Sequence, residues 1–205
     1  MSLSSFLSNP RASLVADASV VINLNATARA ADIIQAFPNP FAVTENACAE
    51  LEAGIRNGHR DYGQLLELIA AGHAQRVHLD TPAMPVYESL ISGSTLRTLD
   101  DGEAATIAHA KENGGIAVID ERKARSLCVT DFPDLVVVCT VELLMHDAVA
   151  AKLGAREQAD ALARAITGAR MRVPQEHLAR VRAMIGPERA ASCASLPRIG
   201  RELVA

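Results

Sequence analysis

Short apolar runs alternate with stretches of helical periodicity over most of the chain. The first run, Leu14-Val15-Ala16, stops on Asp17, and positions 18–24 then read as the apolar opening turns of a helix. A second helix is expected over 27–37, where Pro38-Asn39-Pro40 breaks it. Phe41-Ala42-Val43 is a short strand, after which Thr44 caps a helix reaching Gly54, with Ala47, Cys48, Leu51 and Ile55 at helical spacing. Tyr62, Leu65, Leu66 and Ile69 mark the next helix, and 74–79 a third strand. The polar segment 81–98, interrupted by Pro82 and Pro85, leaves room for one helix around Glu88. A firm helix begins at Asp100-Asp101-Gly102-Glu103 and ends at Gly114-Gly115. The run Ile116-Ala117-Val118-Ile119 follows and again stops on an acid, Asp120. A helix carrying Ala124 and Leu127 leads to a last strand at 135–139. Beyond it the pattern is helical throughout, over 141–151, 156–170 and 174–185, and Gly186-Pro187 closes the last of these. Strands alternating with helices predict an α/β fold on a mostly parallel sheet. The predicted organisation is a domain over 13–140, a helical extension over 141–186 and a loose tail over 187–205.

Composition narrows the function classes. The hydrophobic share of the 205 residues is 49%, ample for a core, whereas aromatics are 3% and Trp is absent. Base stacking on an exposed aromatic platform is therefore not expected. No apolar run is long enough to span a bilayer, and 1–10 lacks the basic flank and apolar centre of a secretory signal. Cys48, Cys128, Cys139 and Cys193 lie far apart with no Cys-x-x-Cys, a pattern of reduced thiols that predicts a cytoplasmic protein and offers zinc no ligand motif. None of the six histidines has a partner at ligand spacing. Residues 1–140 hold 10 Lys and Arg against 17 Asp and Glu, a net of −7, while 141–205 hold 10 against 7, a net of +3.

The two acids that end apolar strands carry the chemistry. In an open parallel sheet, ligands bind beyond the carboxyl ends of the strands, where Asp17 and Asp120 fall. Glu50 and Glu103 lie near the starts of helices that face the same edge. Two carboxylates ~5 Å apart at an effective dielectric of ~20 repel by about 3 kcal/mol. Several such pairs would consume much of a stability of roughly 5–15 kcal/mol. A divalent cation reverses that sign, and a set of hard oxygen donors suits magnesium or manganese.

Four motifs occur in order: Asp17-Ala18-Ser19 after an apolar strand, Ala49-Glu50-Leu51, Gly102-Glu103-Ala104-Ala105, and Ile119-Asp120-Glu121 followed by Ala124-Arg125. Together they resemble a PIN domain of the VapC-like toxin ribonuclease group, over about 13–140. The resemblance implies a three-layer sandwich with a central parallel sheet, an acidic site for Mg²⁺ or Mn²⁺, and hydrolysis of RNA phosphodiesters. By position, Asp17, Glu50, Glu103 and Asp120 match the catalytic and metal-binding acids, and Ser19 matches the small hydroxyl beside the first Asp. Many relatives carry Thr-x-Asp-x-Asp at the fourth motif; here Asp120 is followed by Glu121-Arg122-Lys123, so whether Glu121 joins the site stays open. Glu45 competes with Glu50 for the second position. Arg122, Lys123 and Arg125 are candidate RNA contacts, as are Arg164, Arg170, Arg172, Arg180 and Arg182 in the basic extension. The partners the resemblance suggests are an RNA, a small antitoxin protein of a toxin–antitoxin pair, and a second copy of the chain.

Three of the four acids also have a plainer reading. Asp17 can cap the helix after its strand, Asp100-x-x-Glu103 can be a capping box, and Glu50 can be a solvated helix position. Two other functions compete with the nuclease: an inactive PIN fold that binds RNA or protein, and a receiver-like regulator phosphorylated on Asp17 or Asp120.

Overall fold

The structure is a computed structural model, described here for residues 9–92, 94, 97–193 and 195–196. The five predicted strands form: β1 (Leu14–Ala16), β2 (Phe41–Thr44), β3 (Gln75–Val77), β4 (Ile116–Val118) and β5 (Val137–Val138). They make one all-parallel sheet in the order β3-β2-β1-β4-β5. Leu14 pairs in register with Phe41 on one side and with Ile116 on the other. The strand order therefore reverses at β1, and the crevice beyond its carboxyl end is the natural ligand site. A receiver-like sheet runs 2-1-3-4-5; the order found here removes that alternative.

The period of two along the strands sends alternate side chains to opposite faces. Leu14, Ala16, Ile116 and Val118 pack into the larger apolar cluster, and Val15, Ala117 and Ile119 into the smaller. The smaller is covered by α5 (Met84–Ile91), α6 (Asp101–Glu112) and α7 (Arg122–Asp131). The larger is covered by α1 (Ala18–Ala26), α2 (Ala30–Gln35), α3 (Glu45–Gly54), α4 (Asp61–Ala70) and the helices after residue 139. This is the expected three-layer sandwich. The alanines of α6 explain its depth: Ala104, Ala105, Ala108 and Ala110 are all fully buried, and their small side chains let the helix lie close against both sheet and neighbours.

The C-terminal segment contains α8 (Thr140–Leu144), α9 (Asp147–Leu153), α10 (Ala155–Gly168), α11 (Leu178–Ile185) and α12 (Pro187–Ser192). The single helix expected over 141–151 is broken at His146, which leaves the helical region (φ −70°, ψ 144°) and caps α9 by accepting the Ala148 N–H at 3.1 Å. The helix expected from 174 begins instead as a 3₁₀ turn, Gln175–His177. Residues 187–192, expected to be loose, form α12, opened by Pro187 at its first position. The rest of the expected tail lies outside the described residues, apart from Cys193, Ser195 and Leu196. Ala161, Leu162, Ala165 and Ile166 of α10 belong to the same cluster as Leu14 and Val43, so the core runs without a gap from the sheet into these helices.

Candidate active site

Topology brings the acids to one edge. Asp17 follows β1 directly, and Glu50 is carried by the helix that leaves β2. Glu103 is in the first turn of α6, which runs back toward the start of β4 and so begins at the carboxyl edge of the sheet. Asp17, Glu50 and Glu103, with Asp61 and Asp100, line a cleft of about 490 Å³. Among the described residues, no Lys or Arg lines it.

Asp17 satisfies its plainer reading and exceeds it. Its Oδ2 accepts from the Ser19 N–H at 3.3 Å, capping α1, and from the Ser19 hydroxyl at 2.8 Å. Its Oδ1 is buried with no hydrogen-bond partner among the described residues. Burial is the chief cause that pushes the Asp17 carboxyl above its ordinary range, against the lowering effect of the Ser19 and Ala18 bonds. A buried acceptor left unmade costs about 1–3 kcal/mol, and more for a charged group.

Glu103 is 8% exposed. Burial, then the nearby charges of Asp17, Glu121 and Asp100, push it up to about 7. Its capping box is incomplete: Asp100 holds the cap position of α6, yet its side chain makes no capping bond. Glu50, more open, accepts the Gly102 N–H on Oε1 at 2.6 Å, which ties α3 to the start of α6. Burial and then the charges of Asp17, Asp100 and Asp101 raise its carboxyl too. A β-carbon at Gly102 would come within 2.8 Å of Glu50 Oε1, so the glycine is the space the carboxylate occupies.

Asp120 is held differently. Its Oδ1 accepts the Thr140 N–H at 2.7 Å, and its Oδ2 accepts from Asn23 Nδ2 and the Thr140 hydroxyl, both at 2.6 Å. Burial still raises its carboxyl, and the charge of Asp17 adds to this. Asp17 thus couples electrostatically to each of the other three acids. Asp120 opens on a neighbouring cleft of about 730 Å³ lined also by Arg122, Arg125 and Arg172.

The remaining candidates separate. Glu121 caps α7, accepting from the Lys123 and Ala124 N–H groups, while its charge still reaches Glu103. Glu45 opens α3 and does not line the acidic cleft; Glu50 does. Lys123 Nζ donates to the Thr98 carbonyl, and Arg125 pairs with Glu176 at 3.2 Å. Arg164 is spent on the Thr27 carbonyl and Glu157. Sequence reasoning missed Asn23 and Thr140. The one hint for Thr140 is that the last strand, like β1 and β4, runs toward a polar residue at the carboxyl edge, a pattern too common for a threonine to single it out.

The sequence profile of the DUF3368 family, a PIN domain, matches residues 13–187. The chain belongs to this PIN-domain family. No curated protein and no solved structure matches the chain. The match takes in α8 to α11, so the helices beyond the last strand fall within the family's own span. PIN domains are as a class nucleases that use a divalent metal, and the cleft of this PIN domain suits one. It gathers five carboxylates beside one histidine, His59, with an unpartnered buried Asp17 oxygen, and Asp17, Glu50 and Glu103 are raised by burial and by neighbouring acidic charge with no Lys or Arg among the described residues lining the cleft.

Proposed function

We propose that this PIN domain is a metal-dependent endoribonuclease that hydrolyses RNA phosphodiester bonds with Mg²⁺ or Mn²⁺. The observation that carries the reading is Asp17 Oδ1, buried and unpartnered among the described residues, in a cleft lined by further carboxylates and by no Lys or Arg. Asp17, Glu50 and Glu103 would hold the cation, and Asp120 would complete the set from the adjoining strand. A bound cation would supply the charge that polarises the scissile phosphate and lowers the pKa of an attacking water. A carboxylate of the set that is not bonded directly to the cation would orient the attacking water and take its proton. Water would attack phosphorus and pass its proton to that carboxylate, while the bond to the leaving ribose oxygen breaks and that oxygen takes a proton from solvent. Asn23 and Thr140 orient Asp120, and their hydrogen bonds work against the rise that burial imposes on its carboxyl. Arg122 and Arg172, exposed on the neighbouring cleft, take the flanking phosphates. RNA as substrate rests on the likeness of the four motifs to VapC-like toxins. On the same basis we propose a toxin role, with a small antitoxin as partner.

The test is cleavage of a structured RNA set by purified protein with Mn²⁺ or Mg²⁺, beside Asp17→Asn. Metal-dependent cleavage falling at least about 100-fold in the variant is expected from loss of a transition-state charge interaction. RNA binding without turnover, across ions and substrates, would instead make the chain a non-catalytic binding module. Growth arrest on induction, relieved by a co-expressed small partner, separates a toxin from a housekeeping nuclease.

A further inference from the structure

A second cluster of metal-ligating groups lies at the start of α8, outside the residues that line the acidic cleft. Cys139 precedes α8, Glu142 is in its first turn, and His177 closes the 3₁₀ turn before α11. One donor atom from each, a thiol sulfur, a carboxylate oxygen and a ring nitrogen, lie within 4.8 Å of one another. The chain has set them in place. Glu142 Oε2 accepts the Cys139 N–H at 2.8 Å, which orients the carboxylate and leaves Oε1 3.6 Å from His177 Nε2. That nitrogen is buried and makes no hydrogen bond among the described residues. Cys139 is fully buried, so no substrate can reach its sulfur as a nucleophile.

A thiolate, an imidazole and a carboxylate are the donor set of zinc-class cations, whereas the carboxylate-rich cleft suits magnesium or manganese. Tetrahedral bonds of ~2.0–2.3 Å place donor atoms about 3.5 Å apart. The Glu142–His177 separation already meets this, and the sulfur lies within 4.8 Å of a donor atom of each. We propose that Cys139, Glu142 and His177 bind one zinc-class divalent cation, with water as fourth ligand, clasping the turn before α11 to the end of β5. Binding replaces the thiol proton, which leaves to solvent, with a metal–sulfur bond; nothing is oxidised. The spacing hid this site from sequence reasoning, because the histidine arrives only through the fold.

The full-length chain, freed of metal, is titrated with Co²⁺ and then with Zn²⁺ against a chromophoric chelator. Expected are one equivalent of cobalt with a thiolate charge-transfer band and tetrahedral ligand-field absorption, displaced by zinc, and a zinc-dependent rise in Tm. Cys139→Ser should abolish the band. His177→Gln, on a turn and so the safer variant for folding, should weaken zinc affinity beyond the roughly 10–100-fold that loss of an outer-shell partner costs. Asp17→Asn should leave the band intact, which separates this site from the acidic cleft and from the nuclease reading. A folded wild-type chain with no thiolate–cobalt band overturns the proposal, as does a band undiminished in His177→Gln.

Discussion

At the scale of residues, the acidic cleft holds carboxyls that the fold does nothing to neutralise. Glu103 binds its proton up to about 7 in the native state, against an ordinary 4.5. Between those values the folded chain holds more protons than the unfolded one, so stability falls as pH rises through that window. The full shift corresponds to roughly 3 kcal/mol at about 1.4 kcal/mol per pKa unit, and Asp17 and Asp120 move in the same sense. The Tm of the metal-free protein is therefore expected to rise when pH is lowered from about 7.5 to 5.5. Saturating Mn²⁺ should flatten or reverse the trend. A metal-free Tm that falls steadily on acidification would contradict the raised acids. Asp17 and Asp120 were legible in the sequence because a charge at the end of an apolar run demands a partner. Thr140 and Asn23, which hold Asp120, were not, since a threonine or asparagine at a strand edge or on a helix has many ordinary uses.

At the scale of elements, the site depends on how closely α3 and α6 approach. Gly102 leaves the room into which Glu50 reaches, and its N–H holds that carboxylate. In Gly102→Ala the new methyl would displace the far end of a flexible side chain, which the fold tolerates, and alanine in a helix is favoured over glycine by about 0.8–1 kcal/mol. Stability should thus change by no more than about 1 kcal/mol, while Mn²⁺ affinity, read by calorimetry, falls about 10-fold as Glu50 is pushed aside. A variant that loses stability and keeps its manganese affinity would show that Glu50 has no part in the site. The strands and most helices could be read from periodicity, caps and turns. The break at His146 could not, because the apolar positions of α8 and α9 continue one pattern while the ring nitrogen starts a new helix. Nor could the burial of α10, whose apolar stripe is the same whether it covers this sheet or a partner.

At the scale of the whole molecule, charge and chemistry are divided between two neighbouring clefts. Asp17, Glu50 and Glu103 line one, and Asp120 faces the other with Arg122, Arg125 and Arg172. Arg122 and Arg172 make no ion pair among the described residues, whereas Arg125 is paired with Glu176. Replacing either Arg122 or Arg172 by alanine should weaken RNA binding and reduce the salt slope of log K by about 0.7 for each phosphate no longer neutralised. Unchanged slopes in both variants would remove this cleft from the RNA path. Deleting residues 141–205 is a poor test of the same idea, since it would strip Leu162, Ile166 and Val181 from the larger cluster and expose the sheet. One last consequence concerns descent. The carboxylate of Asp17 starts α1 with one oxygen and leaves the other to the cleft, so a lineage that abandons catalysis is not free to put any residue there. Asparagine keeps the helix start and sheds the buried charge, while alanine forfeits a cap worth about 0.5–2 kcal/mol. Asp17→Asn should therefore be at least as stable as the parent and more stable than Asp17→Ala by denaturant unfolding, and degenerate descendants of this chain should carry asparagine or serine at 17.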